Sequence, residues 1–430
     1  MNVIHASRRG AYGRVCVVVH GWPKLSSPFV AQELVGLEQR GFELLIATFG
    51  KPDKIRHPIV ERLRADILRL PKIADGLGQF LRGWVRVRGA PGYAKALALL
   101  RSQMKHGEKK RHFRAFLRGV ILADRMPSDV RAIYAHFIGR PASVARYASL
   151  IRGLPLAGSA HARDIWTGSR SEVQAQLAAM EWCATCTKVG AEYLKSITPE
   201  PQKVRLIYHG LSIDRVPEGA LQRGQSDGTD AKSPVKLLSV GRAVEKKGFD
   251  VLLEALAKLP PDLNWRWIHV GDGAIMGDLK RQADELGLQN RIEWRGAQDQ
   301  TMVFELLRRA DLFVLPSREG SDGDKDGLPN VLMEAQSQEL ACLSTNFSEI
   351  PELIEAGRTG VLVPPGDAQA LAVALERLIR SPDERQKLGR AGRERVTRCF
   401  DAAEGIGEIA ELLRDTMQDH VRQSLQRELA

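Results

Sequence analysis

The chain has 430 residues, 43% hydrophobic and 27% charged, with a formal net charge of +11. That length suits two domains of roughly 200 residues each, and the composition excludes a disordered, collagenous or low-complexity chain. No apolar run approaches the roughly 18–20 residues of a membrane-spanning helix, and residues 1–10 lack the apolar stretch of a secretory signal, so a cytoplasmic protein is expected.

Residues 14–20 are a short β-branched run closed by the turn residues Gly21, Trp22 and Pro23, which predicts a strand and a loop. Phe29, Val30, Leu34 and Leu37 then recur at helical spacing over 29–40, with Gly41 as the stop signal, and 43–49 reads as a second strand. This is a βαβ order, in which functional loops sit at the carboxyl ends of parallel strands.

The charge is unevenly placed: residues 1–150 carry 27 Lys and Arg against 10 Asp and Glu. Within residues 82–118, eleven basic side chains and the single acid Glu108 interleave with Trp84, Tyr93, Leu97, Leu100, Met104, Phe113, Phe116 and Leu117. That make-up belongs to basic amphipathic helices on anionic surfaces. A solvated surface helix pair would also produce it. Nucleic acid is not expected as a partner, because no recognisable binding motif accompanies the charge.

Further strands are predicted over 132–134 and 156–159 around a helix over 141–151, and another unit ends at 183–187. The five cysteines, Cys16, Cys183, Cys186, Cys342 and Cys399, are odd in number and scattered, which fits a reducing compartment and core packing. Residues 218–234 are rich in Gly, Ser, Asp and Gln and predict a flexible linker. A second alternation follows: strands over 236–240, 265–270, 292–294 and 312–315, and helices over 251–258, 275–286 and 302–309. The resulting division is a first domain over 1–217, the linker, a second domain over 235–400, and helices over 401–430 that cross back to the first. The expected fold class is α/β, two Rossmann-like domains facing across a cleft that is the default ligand site.

Four segments carry chemistry. In Asp326-Gly327-Leu328-Pro329, Pro329 suits a helix first turn and the N–H groups of Gly327 and Leu328 suit an anion. Glu334 then lies about 7 Å further along that helix, so the carboxylates of Asp326 and Glu334 bracket a hydroxyl-bearing ligand; a capped helix with a solvated loop acid is the plainer alternative. Arg242 and Lys247, on one turn at a strand's carboxyl end, suit a diphosphate, or else a solvated cationic face. Gly271-Asp272-Gly273 is a tight turn after a strand. His161, in Ala160-His161-Ala162-Arg163-Asp164-Ile165, stands at a strand end, either beside a reacting sugar or as a structural histidine, whereas His136 is expected to pack between strand and helix.

Together with Trp22-Pro23-Lys24-Leu25-Ser26, His136-Phe137 and Ala310 through Ser317, these segments resemble the retaining glycosyltransferases of family 4, which have the GT-B fold. The likeness is greatest to bacterial exopolysaccharide, colanic-acid-type sugar transferases. It runs from about residue 12 to 400 and is weakest across 56–129. It implies a hexosyltransferase moving a sugar from a nucleotide-diphosphate donor, UDP-linked on family frequency, to a glycan or lipid-linked glycan acceptor at the inner face of the cytoplasmic membrane. No cofactor and no essential metal are implied. Arg242 and Lys247 match the pair that holds the donor diphosphate, Asp326 and Glu334 the two acids of the E-x7-E motif, His161 the histidine beside the reacting sugar, and Gly21 the loop near the phosphates. Base recognition falls near residues 295–298.

Two departures stand out. Asp326 replaces the more usual Glu, one methylene shorter, and Ser348-Glu349 lies in the segment before Pro351-Glu352 where many relatives carry Gly-Gly. A non-catalytic binder of polyanion or membrane on the same fold, and a nucleotide-sugar epimerase, are the competing functions.

Overall fold

A computed structural model describes residues 13–24, 27–53, 58–72, 76–105, 108–212, 216 and 221–429. Leu25 and Ser26, residues 1–10 and the start of the expected linker, 218–220, lie outside them. The chain forms two compact units: residues 1–185, 190–207 and 404–430, and residues 186–189 and 208–403.

The first unit is built on a parallel sheet of β1 (Arg14–Gly21), β2 (Glu43–Gly50), β3 (Asp66–Arg69), β4 (Val130–His136), β5 (Leu156–Ala160), β6 (Cys183–Thr185) and β7 (Val204–Leu206), in the order β3-β2-β1-β4-β5-β6-β7. The β1 run Val15-Cys16-Val17-Val18 is fully buried because both faces are covered. One cover is the helix Pro28–Gln39, which buries Val30, Leu34 and Leu37. The last helix, Ala402–Leu429, reaches this unit through residues 404 onward. A Cβ on Gly36 would meet Ile406 at 2.8 Å, and Trp182 Nε1 donates to Thr416 Oγ1 at 2.9 Å. The basic segment is three helices, Leu77–Val87, Tyr93–Gln103 and Lys109–Arg125, rather than a pair.

The second unit is built on β8 (Val235–Val240), β9 (Trp265–Val270), β10 (Ile292–Trp294), β11 (Leu312–Leu315), β12 (Cys342–Thr345) and β13 (Val361–Val363), all parallel, in the order β10-β9-β8-β11-β12-β13. Residues 186–189 join it because the Glu352 carboxylate accepts the backbone N–H of Lys188 at 2.8 Å and of Val189 at 3.1 Å, and the Tyr208 hydroxyl at 2.9 Å.

The flexible linker expected over 218–234 does not describe residues 221–234. Arg223 donates to the carbonyls of Glu339 (2.8 Å), Leu307 (3.0 Å) and Gln338, and Gly228 is buried against Leu263 and Ile379. The carbonyl of Gly228 accepts from Asn264 N–H at 2.8 Å. Polar composition here serves attachment to the second unit through distant backbone acceptors that composition does not reveal. Among the described residues no helix is long and apolar enough to cross a membrane.

Candidate active site

In each sheet the chain runs outward in one direction and then returns to continue in the other, and the crevice outside the strand carboxyl ends at that reversal is where α/β sheets bind ligands. The reversals lie between β1 and β4 and between β8 and β11.

At the β8–β11 reversal the polypeptide is tightly apposed. A Cβ on Gly271 would sit 1.9 Å from the Gly241 carbonyl oxygen, and one on Gly273 2.3 Å from that of Ala243. Gly248, at φ 65°, closes the short helical turn Glu245–Lys247, and its missing Cβ would lie 2.1 Å from the Pro316 carbonyl oxygen. Both restrictions demand glycine. The result carries the Lys246 and Lys247 ammoniums to the loop after β11. There Asp326, itself buried, accepts from Lys247 Nζ at 2.7 Å and Ser317 Oγ at 2.8 Å, with Lys246 Nζ at 3.4 Å and Lys246 also 3.0 Å from Asp324. Burial pushes the Asp326 carboxyl up, and the two ammoniums and the hydroxyl outweigh it, holding it below the usual carboxylate range.

Asp326 and Lys247, expected as separate contacts to sugar and phosphate, are thus each other's partners. Lys246 and Ser317 complete the cluster without having been singled out; the Lys-Lys doublet was the available signal for the first. Arg242 is exposed in the loop between β8 and the turn Glu245–Lys247. The N–H groups of Gly327 and Leu328 take no acceptor among the described residues. Pro329 is the residue before the helix Asn330–Ser337, one position short of the first turn expected for it. Glu334 is buried on that helix.

In the first unit, His161 follows β5 and caps the short helix Ala162–Trp166. Its N–H donates to Asp164 at 3.3 Å, and Asp164 also accepts the N–H of Ile138, tying the loops after β4 and β5 together. Burial raises the Asp164 carboxyl to about 7 against those donors. The His161 ring is only 6% exposed, 4.3 Å from the Phe137 ring, 4.9 Å from Phe29 and nearly parallel to His136 at 5.8 Å. His136 is fully buried with Nε2 3.2 Å from Glu33 Oε1 on the helix Pro28–Gln39, between strand and helix. Gly21 ends β1; a Cβ there would meet Lys24 Cε and the Lys51 carbonyl oxygen, both at 2.8 Å, so its glycine is required by the packing of its own loop.

Residues 225–395 match the family model of glycosyl transferases group 1. The chain is similar to a colanic acid biosynthesis glycosyltransferase of Salmonella typhimurium, 29% identical over 70% of this chain and 71% of that protein. It is 36% identical to an amylovoran biosynthesis glycosyltransferase of Erwinia amylovora over 42% of this chain, spanning 44% of that relative's length. Among solved structures, an Anabaena protein in complex with UDP and glucose shares the fold at TM-score 0.67 and 18% identity, covering 94% of this chain and 100% of that one.

Proposed function

The chain being a glycosyltransferase on a GT-B fold, we propose that it is a retaining, family 4 enzyme of surface polysaccharide synthesis. It moves a sugar from a UDP-sugar to a glycan or lipid-linked glycan at the inner face of the cytoplasmic membrane, where the basic helices of the first unit meet anionic lipid. The observation that carries this reading is the position of the Lys246, Lys247, Asp326 and Ser317 cluster at the β8–β11 reversal, within the span of the group 1 match. Names of the relatives, in colanic acid and amylovoran synthesis, support the polysaccharide pathway.

In this reading Arg242 and Lys247, with the N–H groups of Gly327 and Leu328, neutralise the donor diphosphate, so charge developing on the leaving group meets fixed donors and no metal is needed. Asp326 and Glu334 take sugar and ribose hydroxyls. The C1–O bond to the diphosphate breaks as a bond from the acceptor oxygen forms on the same face, and the acceptor's hydroxyl proton passes to the leaving phosphate oxygen. His161 borders the reacting sugar.

Calorimetric unfolding with UDP, GDP or ADP in EDTA tests the donor assignment. At about 100-fold excess over the dissociation constant, binding adds roughly 2.7 kcal/mol, which raises the midpoint of a unit of about 200 residues by roughly 5–10 °C. A shift with UDP in EDTA is expected. A shift with GDP or ADP alone overturns the UDP assignment, and no shift with any of the three overturns the donor site.

A further inference from the structure

Three successive residues of the turn after β8 each grip a successive point of the loop after β11. The Glu245 carboxylate accepts the Ser321 N–H at 3.0 Å and its hydroxyl at 2.6 Å. The Lys246 ammonium lies 3.0 Å from Asp324 Oδ2, 3.1 Å from the Lys325 carbonyl oxygen and 3.4 Å from Asp326 Oδ1. Lys247 donates to Asp326 Oδ2 at 2.7 Å. Arg318 ties down the start of the loop: its N–H donates to the Lys246 carbonyl at 2.9 Å, and its guanidinium to Asp250, on the helix Phe249–Ala257, at 2.7 Å.

The two lysines differ in what they leave for a ligand. An ammonium has three N–H donors, and Lys246 has three oxygens around it, all from the loop, with only 11% of its side chain exposed. Among the described residues Lys247 Nζ contacts one acceptor, Asp326, so two of its donors remain. A diphosphate taken by Lys247 therefore competes for the ammonium that compensates Asp326. A buried carboxylate stripped of its counter-ion is strongly unfavourable, and Lys246 already stands at the other oxygen of that carboxylate.

Asp322, Asp324 and Asp326, followed by Gly327, have the alternate spacing with which calcium loops begin. Here the cation between Asp324 and Asp326 is the Lys246 ammonium, carried by the chain itself.

We propose that Lys246 is a positioning residue of donor binding: the standing counter-ion that keeps Asp326 and its loop in place while Lys247 is released to the diphosphate. The proposal rests on the donor-site reading, which gives Lys247 to the diphosphate, and it adds the residue that makes the release possible.

The test is isothermal titration of the full chain with UDP in EDTA, with melts of each variant to check folding; if the parent binds GDP or ADP instead, that nucleotide replaces UDP. In Lys246→Met, Lys247 is the one ammonium left on Asp326, so UDP has to break that pair, and affinity is expected to fall about tenfold or more. Lys246→Arg keeps the charge and stays within about threefold of the parent. In the double variant Lys246→Met with Asp326→Asn, no carboxylate holds Lys247, and affinity returns to the parent value or above it. Asp324→Asn cuts the link between Lys246 and the loop but leaves both ammoniums on Asp326, so affinity stays within about twofold.

A Lys246 that merely supports the fold gives the reverse pattern: Asp324→Asn then mimics Lys246→Met, and adding Asp326→Asn deepens the loss. That pattern, or unchanged affinity in Lys246→Met, overturns the proposal. If Lys246→Met does not fold, the double variant, which loses one charge of each sign, decides the matter, and weaker nucleotide binding in it is the refuting result. A rise in the parent's melting midpoint with calcium chloride that Asp324→Asn abolishes makes the loop a metal site and also overturns the tethered cation. Failure of the donor reading looks different, because the parent itself then binds none of UDP, GDP and ADP.

Discussion

Replacing Asp326 by Asn removes the anion that Lys247 and Lys246 share. At an effective dielectric constant of about 20, unit charges 2.7 Å apart attract by roughly 6 kcal/mol and at 3.4 Å by roughly 5, against a desolvation penalty of several kcal/mol per ion. The pair with Lys247 is well buried, at 13% and 10% side-chain exposure. Breaking such a pair from one side costs about 3–5 kcal/mol. Ser317 still bonds the amide and Asp324 still holds Lys246, so the lower figure applies. A loss of about 3 kcal/mol lowers the calorimetric midpoint of the second unit by roughly 6–12 °C. Lys247→Met falls by a similar amount, because it leaves the carboxylate under-compensated. The double variant removes both charges and lies within about 1–2 kcal/mol of the parent, since a buried pair replaced as a whole is close to neutral. The depressed Asp326 pKa adds a pH test: its stabilisation is present above the usual carboxylate range and is lost as pH falls through the lower folded value. Asp326→Asn therefore flattens the acid limb. Additive losses in the double variant, or an unchanged acid limb, refute the buried pair.

Four further outcomes follow from the same geometry. Asp164, raised to about 7, stabilises the fold fully below about pH 3.8 and loses that contribution as pH rises through 7; melts of Asp164→Asn should gain on the parent between pH 4 and 7.5, and a constant difference counts against the raised value. His269 is fully buried among Phe249, Trp267 and Trp294 and is lowered to about 4 by burial, against the charge of Asp272. The unfolded chain takes up that proton first, so stability falls between about pH 6.5 and 4 by up to roughly 3 kcal/mol, and urea titrations of His269→Phe should lack this slope. Gly248→Ala meets both a left-handed backbone and the Pro316 carbonyl, and a loss above about 2 kcal/mol is expected by calorimetry. In steady-state kinetics Arg242→Ala should raise the donor KM, while His161→Ala should lower kcat with little change in nucleotide affinity; unchanged kinetics in both sinks those roles.

Local pattern was enough to place most elements. The 265–270, 292–294 and 312–315 strands coincide with β9, β10 and β11, because an apolar β-branched or aromatic run between turn residues is a local property. The short strand β3 was not legible: three of its four residues are exposed, so burial left no alternation to read. The supposed linker was misread because Gly, Ser and Asp describe a chain without its own core, yet Arg223 is bound by carbonyls 84 to 116 residues away.

By itself the sequence determined the α/β alternation and the glycine-bearing turns after the strands, both of which depend on neighbours within a few positions. Tertiary structure alone decided that Lys247 meets Asp326 across 79 residues, that Ser317 joins them, and that Arg118 lies over the Phe49 ring that meets His20. The order of strands in a parallel sheet is set by how covering helices bury both faces, and that long-range packing chooses which loop ends share a crevice.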